Sequence, residues 1–193
     1  MSFVNLTPGD TIWIRFWDYL NDDFGTFTIC VNSDSIPTPP TCNINDPAGN
    51  TCALATPICN LDGYCGNTSS SYTADYWPEL GDGTNTNAGA FGQCLGGATI
   101  QNNSFLKFVA ADTVAKFNVW VTTTTEGVGI QMMFFEASNC QGPVVCHGGY
   151  DNLFPGTPHL VTANNLVVGN TYYLMIDRVN GDVCNYVIGA ISG

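Results

Sequence analysis

From Ser104 onward the sequence is a succession of short alternating segments, and nothing else in it constrains the fold as much. "SFLKFVA", "AKFNVWVTT", "GIQMMFFEA", "PHLVTA", "TYYLMID" and "CNYVIGAI" are rich in aromatic and β-branched residues and are bounded by turn-forming residues. Apolar residues recurring at period two line one face of a strand. In "AKFNVWV", Phe117, Val119 and Val121 share one face, and Lys116, Asn118 and Trp120 share the other. In "GIQMMFF" the inward set is Ile130, Met132 and Phe134. Strands at about ten-residue spacing, with no helical periodicity between them, predict an all-β fold, an antiparallel β-sandwich or jelly roll.

The chain also says nearly the same thing twice. At a constant shift of 160, Asn5, Leu6, Gly9, Thr11 and Asp22 fall on Asn165, Leu166, Gly169, Thr171 and Asp182. Both copies read as a hairpin, and the Asn180-Gly181 pair supplies a tight turn in the second. An isolated two-stranded hairpin is at best marginally stable in water. Residues 1–31 are therefore read as the terminal hairpin of a preceding repeat. Its apolar side chains, Ile12, Trp13, Ile14, Phe16, Trp17 and Tyr19, are read as an interface to a neighbouring module or copy.

Residues 32–50, with three prolines between 37 and 40, read as an extended linker. A β-sandwich module over 51–193 comes next. Its first part, up to about Gly97, is loop-like apart from a short strand near Ala55–Ile58 and a turn near Asp75–Leu80. So long a loop calls for cross-links. The sequence has nine cysteines and no zinc-type spacing, which points to disulfides and an oxidising compartment. The short turn between them suggests pairing Cys140 with Cys146. The loop set Cys52, Cys59, Cys65 and Cys94 is expected to pair within itself or with Cys184.

Four Lys or Arg against sixteen Asp or Glu give a net charge of −12. Such a surface repels phosphate backbones and anionic lipid heads, so neither nucleic acid nor a membrane is expected as partner. No apolar run approaches the roughly 18 residues of a membrane span, and an export signal would have to precede Phe3.

Few residue sets carry chemistry. His147, Asp151 and a serine could be drawn as a triad, but no nucleophile-elbow motif fixes the serine. His159 heads a strand as an ordinary edge residue. Glu79, Glu126 and Glu136 are too scattered for paired-carboxylate chemistry. In "YTADYWPELGDGTN", Asp75, Glu79 and Asp82 in a Gly-containing loop suit calcium, and Tyr72, Tyr76 and Trp77 suit sugar stacking. A plainly solvated loop is the alternative to both. The Asp-Ser/Thr-apolar triplets at 10–12, 34–36 and 112–114 resemble a bacterial O-glycosylation pattern, and that likeness makes Ser35 and Thr113 candidate glycosylation sites.

The blocks "TCALATPICNLDGYCGNTSSSYTADY", "IQNNSFLKFVAA", "GIQMMFFEASNC" and "LVVGNTYYLMIDRVNGDVCNYVI", in that order, resemble a repeat module of large secreted and surface proteins of Bacteroidetes. Those proteins are often exported by the type IX system and described as gliding-motility-associated or adhesin-like. The strand "GNTYYLMID" also looks like the closing strand of pre-peptidase C-terminal jelly rolls. In those, calcium sits near the first strands, where Asp46 and Asp62 are the nearest counterparts. The resemblance implies a non-enzymatic extracellular or cell-surface module of a tandem array or filament, with neighbouring repeats as partners and no cofactor beyond possible calcium. The alternative expectation is a carbohydrate-binding accessory module of a secreted hydrolase that recognises surface glycans.

Overall fold

The computed structural model describes residues 38–44 and 46–192. The interface residues named above and Ser35 lie outside the described residues. The strands are β1 (Thr56–Pro57), β2 (Tyr64–Asn67), β3 (Ser104–Val109), β4 (Ala115–Thr124), β5 (Ile130–Ala137), β6 (Val144–Leu153), β7 (His159–Ala163), β8 (Thr171–Arg178) and β9 (Cys184–Ser192). A 3-10 turn at Cys52–Leu54 and one short helix, α1 (Gly89–Leu95), precede β3.

The strands form two sheets, β1-β3-β8-β5-β6 and β2-β9-β4-β7. The antiparallel pairs β2·β9, β3·β8, β4·β7 and β5·β6 are nested one within the next and alternate between the sheets. This is the winding of a jelly roll: one long hairpin with its bend between β5 and β6, rolled so that successive rungs fall on opposite sheets. The two-residue β1 adds to the edge of β3 in parallel.

The periodicity read from the sequence places the core. Phe117, Val119 and Val121 meet Ile130, Met132, Phe134, Tyr172, Leu174 and Ile176 between the sheets, and all are buried. The alternate residues of the five-stranded sheet are buried too. Phe105, Met133, Phe135 and Met175 pack under Trp77, Leu80, Phe91 and Ile100. Much of the stretch from 51 to about 97, read as a cross-linked loop, thus forms with residues up to Ile100 a third layer over the outer face of this sheet. Ile58, Leu61 and Tyr64 of the same stretch turn instead into the core between the sheets. Helix α1 stands inside this layer. The N–H groups of Ala90 and Phe91 donate to Glu79 O and Leu80 O, and Gly96, at φ 76, ends it in the left-handed conformation.

The disulfides correct the pairing expected from sequence proximity. Cys52 pairs with Cys140, Cys94 with Cys146 and Cys42 with Cys65, whereas Cys59 is free and exposed and Cys184 free and buried. Two bridges therefore staple the cover to the β5–β6 hairpin. Cys146 sits opposite Phe135 in the β5–β6 register, beneath the cover, and the cover brings it a partner from α1. A Cβ added at Gly149 would lie 2.6 Å from Cys94 Sγ, so the second staple needs a bare backbone there.

The linker boundary also shifts. Residues 35–193 make up one contact unit. Gly49 and Phe105 exchange N–H···O bonds of 2.9 and 2.8 Å, Tyr64 donates to Asp46 O at 3.0 Å, and Cys65 N donates to Ile44 O at 2.7 Å. The close-set prolines end at Pro40, and the chain around Asn43 and Ile44 covers the open edge of β2. Each other sheet edge is also guarded. Pro57 removes an N–H from β1, and β6 and β7 lean on each other through Tyr150 Oη to Thr162 O (2.9 Å) and Asn164 N to His147 O (2.8 Å).

Candidate functional site

The acidic loop does not gather into a cation site. Asp75 Oδ2 accepts from Cys52 N at 2.7 Å, Asp82 Oδ1 accepts from the backbone of Asn85 and Thr84, and Glu79 is exposed. The N–H groups of Asn85 and Thr84 hold the Asp82 carboxyl below its usual range. Asp46 contributes only its backbone oxygen to Tyr64, and Asp62 Oδ1 accepts from Ala190 N. Among the described residues no three His, Cys, Asp or Glu side chains come together as metal ligands. The carboxylates of Asp62, Asp75 and Asp82 instead satisfy backbone donors that the irregular cover and the loops beside it would otherwise leave open.

The aromatic trio is dispersed for a similar reason. Trp77 is 3 % exposed, and its Nε1 donates to Gly142 O at 2.8 Å. Tyr72 is buried and only Tyr76 is half exposed, so no stacking platform exists there. Thr113 lies exposed on the β3–β4 turn, with its Oγ1 donating to Asp112 Oδ1 at 3.2 Å. His147 Nδ1 sits 2.9 Å from Asn164 O, with Nε2 3.7 Å from Glu136, and His159 Nε2 lies 2.7 Å from Phe154 O. Asp151 engages Asn152 through both oxygens. No hydrogen bond among the described residues joins His147 to Asp151 or to a serine.

A different cluster is built, and sequence reasoning missed it. On the cover-facing side of the five-stranded sheet, β5 and β8 pair Phe135 with Tyr173, Met133 with Met175 and then Gln131 with Asp177. The row turns from apolar to polar at its last rung. Both polar residues are buried, Gln131 at 3 % and Asp177 at 0 % exposure. Gln131 Nε2 donates to Asp177 Oδ2 at 2.7 Å and to Thr99 O at 2.8 Å, while the N–H groups of Gln101 and Asn102 donate to Asp177 at 3.0 and 2.7 Å. Burial pushes the Asp177 carboxyl up, and the donors from Gln131, Asn102 and Gln101 pull it back only as far as about 6. Directly above lies a polar cavity of about 230 Å³, lined by Thr99, Gln101, Gln131, Asp151, Asn152 and Asn180 among others. Asn152 (φ 55) and Asn180 (φ 50) take the left-handed backbone that Asn tolerates best among non-glycine residues. The signal in the sequence was a lone polar residue inside each of two otherwise apolar strand segments, "IQMMFF" and "YYLMID".

Asp182 is the second organised carboxylate. It accepts from Thr124 and Thr125 hydroxyls and from the N–H groups of Thr125, Glu126, Val128 and Gly129. It thereby shapes the whole β4–β5 turn from the β8–β9 turn. Burial alone would raise its carboxyl, but these donors, Thr124 first, outweigh it and hold the group far below the carboxylate range. Compared with protein-family models, curated proteins and solved structures, the chain matches none.

Proposed function

We propose that the chain is a non-enzymatic structural and adhesive module of an extracellular tandem array or surface filament, of the kind its sequence blocks resemble in Bacteroidetes surface proteins. The observation that carries this reading is the place of β8 and β9. Each is an inner strand, β8 between β3 and β5 and β9 between β2 and β4. Residues 5–31 repeat their sequence, and a segment that took the same inner places would need partner strands on both sides in two sheets. In residues 38–192 those positions are already filled. A second jelly roll, in another repeat, offers them. Strand addition at an open sheet edge is the weaker route, because the edges described above are guarded.

The chemistry of the side chains supports the non-enzymatic part. Asp75, Asp82, Asp177 and Asp182 are each committed to backbone donors, and both histidine rings rest on backbone carbonyls. Three disulfides fit a chain that matures in an oxidising environment, and no helix among the described residues is long and apolar enough to cross a membrane. An accessory glycan-binding module of a secreted hydrolase is the second reading, and the polar cavity favours it. Sequencing the gene on both sides of this segment separates the two. Further copies at the same spacing support the array, and one catalytic domain with no further copy replaces it with the accessory module.

A further inference from the structure

We propose that the cavity above Gln131 and Asp177 is a binding site for one neutral sugar residue of a glycan. Its construction argues that it is more than a gap between layers. Along the paired β5–β8 row beneath the cover, Phe135–Tyr173 and Met133–Met175 precede this polar rung, and burying an amide and a carboxylate together is costly unless both are fully hydrogen-bonded. Here they are bonded in one particular arrangement. Asp177 and Thr99 O consume both hydrogens of Gln131 Nε2, which fixes the orientation of the amide. Gln131 also lines the cavity, and among the described residues no hydrogen bond uses its Oε1. A buried acceptor is thus oriented by a second buried group and left for an outside donor. Asp177 is the positioning residue, and Gln131 is the one that would touch the ligand.

The lining decides the ligand class. Among the described residues no Lys, Arg or His lines the cavity, so phosphate, sulfate and carboxylate ligands find no countercharge there. Asp151 is the only acid among the described residues that line it, too few for a calcium site. The described lining residues include no exposed large apolar side chain either, which removes the usual drive for an apolar ligand. What remains is a rim of amide and hydroxyl groups that can both donate and accept, from Thr99, Gln101, Asn152 and Asn180. A hydroxyl-rich neutral molecule is complementary to that rim. The volume of about 230 Å³ is below the roughly 300–1,000 Å³ of pockets for drug-sized ligands, and so is suited to a single ring. The site does not depend on the array reading, since every residue in it belongs to one module.

The test is titration of the isotopically labelled 193-residue protein, followed by amide NMR shifts. The probes are D-glucose, D-galactose, D-mannose, N-acetyl-D-glucosamine and L-fucose, each alone, with D-glucuronate as the charged comparison. At least one neutral sugar should shift the amides of residues 97–101, 131, 152 and 180, and glucuronate should bind more weakly than glucose. Asn180→Gly keeps the left-handed turn and removes the amide, and Gln101→Ala trims a side chain that holds nothing within the described fold. Each should weaken binding roughly tenfold without changing the rest of the spectrum. The proposal is overturned if no neutral sugar shifts these amides, if the shifts map elsewhere, if both variants bind like the parent, or if glucuronate binds as well as glucose.

Discussion

Two neighbouring aspartates, Asp177 on β8 and Asp182 at the turn after it, make the stability of this protein depend on pH in opposite senses. The folded Asp177 carboxyl titrates near 6, above the ordinary 3.8, so its favourable contribution is complete below about pH 4 and is lost as pH rises through 6. A shift of that size corresponds to about 3 kcal/mol. Asp182 is held low, so its contribution is present above the ordinary aspartate range and disappears as pH falls below it. Thermal unfolding followed from about pH 8 to about pH 3 should therefore show the midpoint rising on acidification to a maximum between about pH 4 and 5, then falling. General repulsion among carboxylates in a chain of net charge −12 also eases with acid. Asp177→Asn isolates the local effect, because in that variant the extra rise between about pH 7 and pH 4 should vanish. Asp182→Ala should cost roughly 3 kcal/mol or more at neutral pH, since it leaves the N–H groups of Glu126, Val128 and Gly129 in the β4–β5 turn without an acceptor, while Thr125 N keeps Val183 O. An Asp182→Ala midpoint equal to the parent's would contradict that account. Cys184, beside it, is a poor nucleophile by the same environment, with burial first and then Asp182 pushing its thiol up to about 11.

Among the elements, most strands of the two sheets were legible in the sequence, whereas β2, β6 and the order of the cover were not, for physical reasons. β3, β4, β5, β7, β8 and β9 follow from alternation, because a residue between two sheets is buried whatever loop lies outside. β6 was missed because "VVCHGGYDNL" has two glycines and a cysteine where alternation would put large apolar groups, and α1 packs against it there. The cover's order comes from contacts with a surface distant in sequence, so Trp77 and Tyr72 looked exposed in a polar stretch and are buried. The Gln131–Asp177 pair was invisible for the same reason: each residue is visible alone, but their pairing needs the strand order. Reduction should release the cover first. Each staple closes a long loop, and losing a native disulfide of this kind typically costs roughly 2–5 kcal/mol. Limited proteolysis after reduction should cut within residues 51–97 while 104–192 resists, and first cuts inside 104–192 would show that the cover is not the weaker layer.

For the molecule as a whole, the jelly-roll order sets where it can be divided. A truncation beginning at residue 38 should fold and keep Cys42–Cys65, whereas one beginning at residue 51 should lose stability, because the edge of β2 and the Gly49–Phe105 exchange lose their cover. Chemical denaturation of the two truncations decides it, and equal midpoints would restore 38–50 to the role of a linker. The nested pairing also carries a consequence for time. Its outermost rung joins Tyr64 to Ile188, so almost the whole module lies between the first strand of the roll and the strand that closes it. Loop-closure entropy makes such distant pairings slow to form. A chain emerging end-first from a ribosome or a narrow channel cannot complete either sheet until its closing strands are out, and until then it remains an open, threadable polymer. In a series of such modules each would lock only as its own last strand appears, one after another, and the fold itself would keep the count.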